Sequence, residues 1–402
     1  MTVEALAGMR VLDFTTGVAG PYATKLLADH GASVLKVEPP NGDSARRQGP
    51  FAGDEPHVEG SARFLSLNTN KRSMTLNLDT EEARGIVRRL VPEQDVIVED
   101  FEPGFLRERG LGYEDLETLR PGIILVSLTP WGQFGPYVEY KQSDLIAQAM
   151  SGPMLWTGNA EREPLKLAGA VSHYHAGAMT ALAATIAHYR QELTDEGEHV
   201  DISIYETQAS SRDRVQPHIT NYSYNGSEPG RRRAGVSLAT GVRPCADGYV
   251  NIAGGTSERI PRFLRMIGRE DLLGDERLAA LPAPLAAELV EDIETSYLEW
   301  LMQRTKRQVV EEAQRARVMA AAINTPEDLV SDPHYRARGV WETIDHPHTG
   351  PVEYPGRPFI FSETPRAPAR RAPLLGEHTA EELTRLGYHD ADLSRLRELS
   401  VI

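Results

Sequence analysis

A chain of 402 residues, 40% hydrophobic and 25% charged, has the balance of a globular protein and enough length for two domains. Its net charge of −15 argues against nucleic acid and anionic membrane as partners, since both attract a basic face. The single cysteine, Cys245, excludes an internal disulfide framework and argues against a cysteine zinc site. Residues 1–10 show no cationic start followed by an apolar stretch, and no apolar run approaches a membrane span. These features predict a cytoplasmic enzyme.

Along the chain, Arg10–Phe14 reads as a strand and Pro21–His30 as a helix stopped by Gly31. Ala32–Val37 is a second strand, Thr80–Leu90 a helix and Asp95–Glu99 a third strand. Tyr113–Leu119 reads as a short helix, and Gly122–Leu128 as an almost wholly apolar strand. This alternation predicts an α/β protein with a parallel sheet covered by helices. Ala176–Glu192 is an alanine-rich helix able to pack closely, and His199–Ile204 a further strand. Asn221–Gly235, rich in Gly, Ser, Asn and Arg, reads as a linker. Gly248–Ala253 is a strand ending in the turn Gly254-Gly255, and Ile260–Thr305 and Lys306–Arg315 read as helical. Proline returns over Pro351–Pro373, where the chain is expected to cross between domains. The expected division is 1–220, 221–350 and 351–402.

Several blocks resemble the class III coenzyme A transferases, which include formyl-CoA and carnitine CoA-transferases and α-methylacyl-CoA racemase. They are Gly8–Phe14, Ala19–Pro21, Gly31–Glu38, Asn70–Ser73, Asp95–Gly104, Trp131–Pro136, Gly197–Asp201, Asp247–Val250 and Leu375–Thr379. The blocks fall in order over nearly the whole chain. The resemblance implies a large Rossmann-like α/β domain built from both chain ends, a smaller middle domain, and two subunits interlocked like links. It also implies an acyl-CoA substrate. Gly17 and Val18 would line the groove after the first strand. Lys71, Arg72 and Lys141 would contact phosphates. Asp100, Phe101 and Phe105 would lie along adenine and pantetheine. The family's arginine after the second strand is Pro39 here, so its contact is absent or falls to Arg46, Arg47 or another residue.

The family's chemistry uses an aspartate that attacks the thioester and holds the acyl group as an anhydride. By resemblance, that position is His173, four residues before Gly177, and no Asp or Glu occurs from Pro164 to Gln191. An acyl-imidazole is activated but hydrolyses readily, and a neutral imidazole also suits a general base. The racemase branch pairs the aspartate with a histidine that aligns to Ser143, so both racemase groups are missing. Asp144 resembles the family's acidic group near the reaction centre. His173-Tyr174-His175 lacks a nearby acid or cysteine to complete a metal set, so no metal is expected.

The resemblance thus implies the Asp-lacking subunit of a heteromeric transferase, of the succinyl-CoA:benzylsuccinate type, working with a homologous Asp-bearing partner on a carboxylic acid. The alternatives are a homodimeric acyl-CoA enzyme using His173 and a non-catalytic acyl-CoA-binding protein. Gly254-Gly255 matches the family's loop that covers the reaction centre from the neighbouring subunit.

Overall fold

Six short strands form one parallel sheet: β1 (Arg10–Asp13), β2 (Ser33–Glu38), β3 (Arg72–Thr75), β4 (Val96–Glu99), β5 (Ile124–Thr129) and β6 (Glu198–Ser203). Their order is β3-β2-β1-β4-β5-β6. The computed structural model describes residues 3–210, 215–228, 230–231, 238–256, 258–280, 285–364 and 367–402. Helices between the strands are α1 (Ala19–Asp29), α2 (Ala62–Leu67), α3 (Glu81–Leu90), α4 (Phe105–Glu108), α5 (Tyr113–Leu119), α6 (Asp144–Met150) and α7 (Val171–Thr194).

The strands are apolar on both faces, so each face needs a helical layer. Val11, Val34, Val98 and Val126 meet Ala23 and Leu27 of α1 and Ala181 and Ala184 of α7. Leu12, Leu35, Ile97 and Leu125 meet Ile86 of α3, Leu116 of α5, and Leu383, Leu393 and Leu396 from the C-terminal helices Thr379–Arg385 and Asp390–Glu398. The end of the chain therefore completes the layer begun near its start. A Cβ on Gly177 would stand 2.4 Å from the Ala19 carbonyl oxygen, so only glycine lets α7 cross α1 this closely.

By compactness the chain divides into two units, Met1–Arg232 with Gly339–Ile402, and Arg233–Arg338. The second unit has a three-stranded antiparallel sheet, β7 (Thr240–Cys245), β8 (Gly248–Ala253) and β9 (Met319–Ala322). It packs on helices Ile260–Met266, Ala287–Met302 and Lys306–Arg315. Gly254-Gly255 follows β8 within this unit.

Three local expectations change. The helix read from Ala176 begins at Val171, because an acid far away in sequence caps it, as shown below. The helix Gln216–Asn225 runs into the first residues of the expected linker, and part of the rest of that segment lies outside the described residues. The stretch read as helix from Ile260 to Thr305 is interrupted, first at Gly268, whose φ of +78° ends the first helix.

Six charged side chains, in three pairs, lie wholly inside the large unit. Lys36 Nζ pairs with Asp43 at 2.9 Å, and Lys71 Nζ pairs with Asp13 at 3.1 Å. Lys36 also donates to the Thr15 carbonyl at 2.6 Å. A third buried pair, Arg46 with Glu38 at 2.7 Å, lies next to them, with Phe64 under the guanidinium. Burial alone would raise the Asp13 carboxyl, but Lys71 and Lys36 outweigh it and hold it at about 2. Burial, with Lys36, pushes Lys71 down to about 8 even against Asp13, so both partners stay charged at neutral pH. Removing one partner strands the other charge in the interior. Asp13→Ala is expected to cost about 3–5 kcal/mol in denaturant unfolding. Because the folded pKa of Asp13 lies below its ordinary 3.8, its contribution is complete above that value and is lost as pH falls towards about 2. Acid unfolding of the wild type should begin in that window, and Asp13→Asn should flatten it.

Candidate active site

Three consecutive amides after β1 are each held by a different carboxylate. Thr15 N donates to Asp13 at 2.9 Å, Thr16 N to Asp100 at 2.9 Å, and Gly17 N to Asp43 at 2.8 Å. The strand order is that of dinucleotide-binding sheets, where this turn presents free amides to a pyrophosphate. Here those donors face protein acids, which would repel a phosphate. Gly17 and Val18 thus sit at the carboxyl edge of the sheet, but their turn is closed by protein groups. Burial raises the Asp100 carboxyl well above its ordinary value, with Asp43 and Glu99 adding to it against Thr16 N–H and Lys36.

Beside this turn, past the ends of β4 and β5, lies a cleft of about 750 Å³. Asp100, Phe101, Arg107, Gln133 and Lys141 line it. Phe105 stacks on Phe101 at 4.3 Å between centroids, and Arg109 covers its other side at 3.6 Å. Lys141 forms an exposed ion pair with Glu102. A crevice at the carboxyl ends of parallel strands is where such sheets hold ligands. The geometry brings Asp100, Phe101 and Lys141 to this one place, with Phe105 behind Phe101.

Ser143 and Asp144 follow the cleft residue Gln142 directly. Ser143 caps α6, accepting from Ile146 N at 3.5 Å, which leaves it a structural role. The Asp144 carboxylate accepts from Ser172 N at 3.0 Å, Ser172 Oγ at 2.5 Å, Lys166 Nζ at 2.7 Å and Gln148 Nε2 at 2.7 Å. It caps α7 from 28 residues away. Burial works to raise its pKa, but Lys166 and Ser172 prevail and it is lowered. His173 stands next to Ser172 in the first turn of α7. Its Nε2 is buried with no hydrogen-bond partner. Burial lowers its pKa, and Arg63 and Lys166 add to this against the charge of Asp144. The imidazole is therefore neutral at pH 7.

Two expected phosphate contacts lie elsewhere. Lys71 Nζ is buried among Asp13, Thr24, Asn68 and the Pro21 carbonyl, which occupy all its donors. Arg72 pairs with Glu381 at 2.7 Å and with Glu382, beside the starts of β1 and β2, away from the carboxyl edge. Arg46 is inside, bound to Glu38 and Glu59, so it does not replace the cation missing at Pro39. Arg47 is exposed and donates to the Asn41 and Gly42 carbonyls. Sequence reading missed Arg107, which lines the cleft and has no ion-pair partner among the described residues. It also missed Gln133, whose place depends on Asp201 accepting its amide at 2.9 Å. Among the described residues, no group of three or more His, Cys, Asp or Glu is placed to hold a metal ion, and no helix is long and apolar enough to cross a membrane.

In an NMR titration, His173 is expected to turn over below the ordinary 6.5 of imidazole. Asp144→Asn removes the one charge favouring the imidazolium, so the midpoint should fall further. A midpoint that rises in this variant contradicts the described surroundings.

Residues 6–379 match the profile of CoA-transferase family III. A succinate–glutarate CoA-transferase of Agrobacterium fabrum is 34% identical over 394 residues, covering 95% of each chain. The BbsE subunit of succinyl-CoA:(R)-benzylsuccinate CoA-transferase from Thauera aromatica is 30% identical over 405 residues, covering 98% of this chain and 97% of that one. The crystal structure of a CAIB/BAIF family protein from Brucella suis superposes with a TM-score of 0.82 at 31% identity, over 96% of this chain and 100% of that chain. With the parallel sheet and its carboxyl-edge cleft, these likenesses establish that the chain belongs to CoA-transferase family III.

Proposed function

We propose that this chain is the subunit of a heteromeric CoA-transferase that lacks the acyl-accepting carboxylate. With a homologous Asp-bearing partner, it moves coenzyme A from a thioester such as succinyl-CoA to a carboxylic acid. The subunits are interlocked as the family resemblance implies. The observation that carries this reading is His173 in the first turn of α7, with no acid from Pro164 to Gln191. Asp144 is a poor substitute. Acylating it would remove the charge that Lys166, Gln148 and Ser172 all face, and would uncap α7. The Thauera aromatica relative is itself named as a subunit.

The cleft supports the coenzyme A part of the reading. Arg107 and Lys141 offer cations to phosphates, and Phe101, backed by Phe105, offers an apolar surface to adenine. Family membership makes an acyl-CoA the fitting ligand. A second reading rests on the unpartnered Nε2 of His173: a homodimer in which this neutral imidazole acts as general base.

The readings separate by exchange of coenzyme A from succinyl-CoA to a panel of dicarboxylic acids. The chain alone should be inactive, and co-expression with an Asp-bearing homologue should restore exchange. His173→Asp should confer exchange on the chain alone. Full activity of the unaltered chain by itself contradicts the heteromer; if that activity then disappears in His173→Ala, the second reading stands. Arg107→Ala should weaken binding of free coenzyme A about tenfold in calorimetry, the loss of one charge-assisted hydrogen bond.

A further inference from the structure

On the sheet face opposite α1 and α7, a line of polar side chains crosses three neighbouring strands. Glu99 of β4 is in register with Ser127 of β5, and Ser127 with Asp201 of β6. His199 lies two residues earlier on β6, so its side chain is on the same face. Ser127 Oγ and His199 Nε2 are 2.8 Å apart. The Ser127 hydroxyl stands in register beside the Glu99 carboxyl and works to lower its pKa against burial. Glu99 and Ser127 are buried, whereas His199 is exposed, with Tyr113 of α5 stacked beside its ring at 6.0 Å. The chain of groups thus runs from solvent to a buried acid.

Both carboxylates of this line hold walls of the cleft. Glu99 accepts the Phe101 amide at 2.8 Å, and Asp201 accepts the Gln133 amide at 2.9 Å. Phe101 and Gln133 both line the cleft. The other charged groups facing the line are Asp100, Glu114 and Arg107.

We propose that His199 and Ser127 form a proton wire between solvent and the buried Glu99 carboxyl, and that Glu99 and Asp201 act through it as positioning residues for the cleft. With Glu99 ionised, Ser127 O–H donates to Glu99, and His199 Nε2–H donates to Ser127. A proton arriving at His199 Nδ1 shifts the Nε2 proton to Ser127 and the Ser127 proton to Glu99. The imidazole ends as its other neutral tautomer, Glu99 is neutral, and one proton has entered. No other reactant is required. Burial raises Glu99 to about 7, with Asp201 adding to this against Ser127 and Phe101 N–H. The wire therefore changes state near neutral pH. Neutral Glu99 is a weaker acceptor for Phe101 N–H, so the wall loosens below that point.

The wire is read by NMR titration of His199, its signal identified by loss in His199→Gln. The wild type should show a second inflection near 7 from Glu99. Glu99→Gln should remove it, and Ser127→Ala should leave a single uncoupled curve. The same curve in all three proteins overturns the wire. The consequence for the cleft rests on its reading as a coenzyme A site. Calorimetry with free coenzyme A between about pH 6 and 8 should show affinity rising at least threefold in the wild type and flat in Glu99→Gln. Equal pH dependence in both overturns the coupling. No binding at any pH overturns the coenzyme A reading, while the titration still decides the wire.

Discussion

The buried charges at the ends of β1 and β2 are the constraint on which the site depends. Asp13, Lys36, Asp43 and Lys71 cannot be hydrated, so each must find its opposite inside the protein. Doing so ties together segments distant in sequence: the turn after β1, the loop carrying Asp43, and the start of β3. Lys36 holds the Thr15 carbonyl, Asp13 the Thr15 amide and Asp43 the Gly17 amide. The turn is held in place because its three amides are all claimed. The same saturation explains how a sheet ordered like a dinucleotide-binding fold can do without a dinucleotide. The open cleft lies further out, between walls built by the loops after β4 and β5.

A second capping arrangement governs the chemistry. Asp144 closes the N-terminus of α7 and holds Lys166 at the same time. It fixes where residue 173 stands and leaves its own carboxylate engaged. By the family resemblance, position 173 is where an acyl anhydride would be carried. The residue there is an imidazole kept neutral by burial, with an unpaired Nε2. The framework is that of CoA-transferase family III; in the proposed heteromer the acyl-holding group comes from the partner chain.

Much of this was legible in the sequence, and the failures have physical causes. The strands β1, β2, β4 and β5 were visible as short apolar runs, and α3 and α5 were found within a residue of their ends. β3, Arg-Ser-Met-Thr, has a single apolar residue and so lacks the apolar run that marks the other strands. The start of α7 was misplaced because its cap comes from Asp144 on another helix, which no local rule can see. Asp13 and Lys36 did carry a signal: a charge within an apolar parallel strand requires a buried partner. Lys71 and Arg72 were misassigned for the converse reason, since a motif names residue types while burial and strand direction decide what they touch. Arg107 reaches the cleft only through the turn at Gly104, a matter of geometry that sequence does not encode locally.

The division of labour in the proposed heteromer is set by where the acyl group resides during transfer. The most direct measurement is to mix the chain with succinyl-CoA, trap any anhydride with hydroxylamine, and locate the modified residue by mass spectrometry. The chain alone should yield no modified carboxyl, and the chain with an Asp-bearing homologue should yield one on the homologue. A hydroxamate on Asp144, or on any other acid of this chain purified alone, would contradict the account.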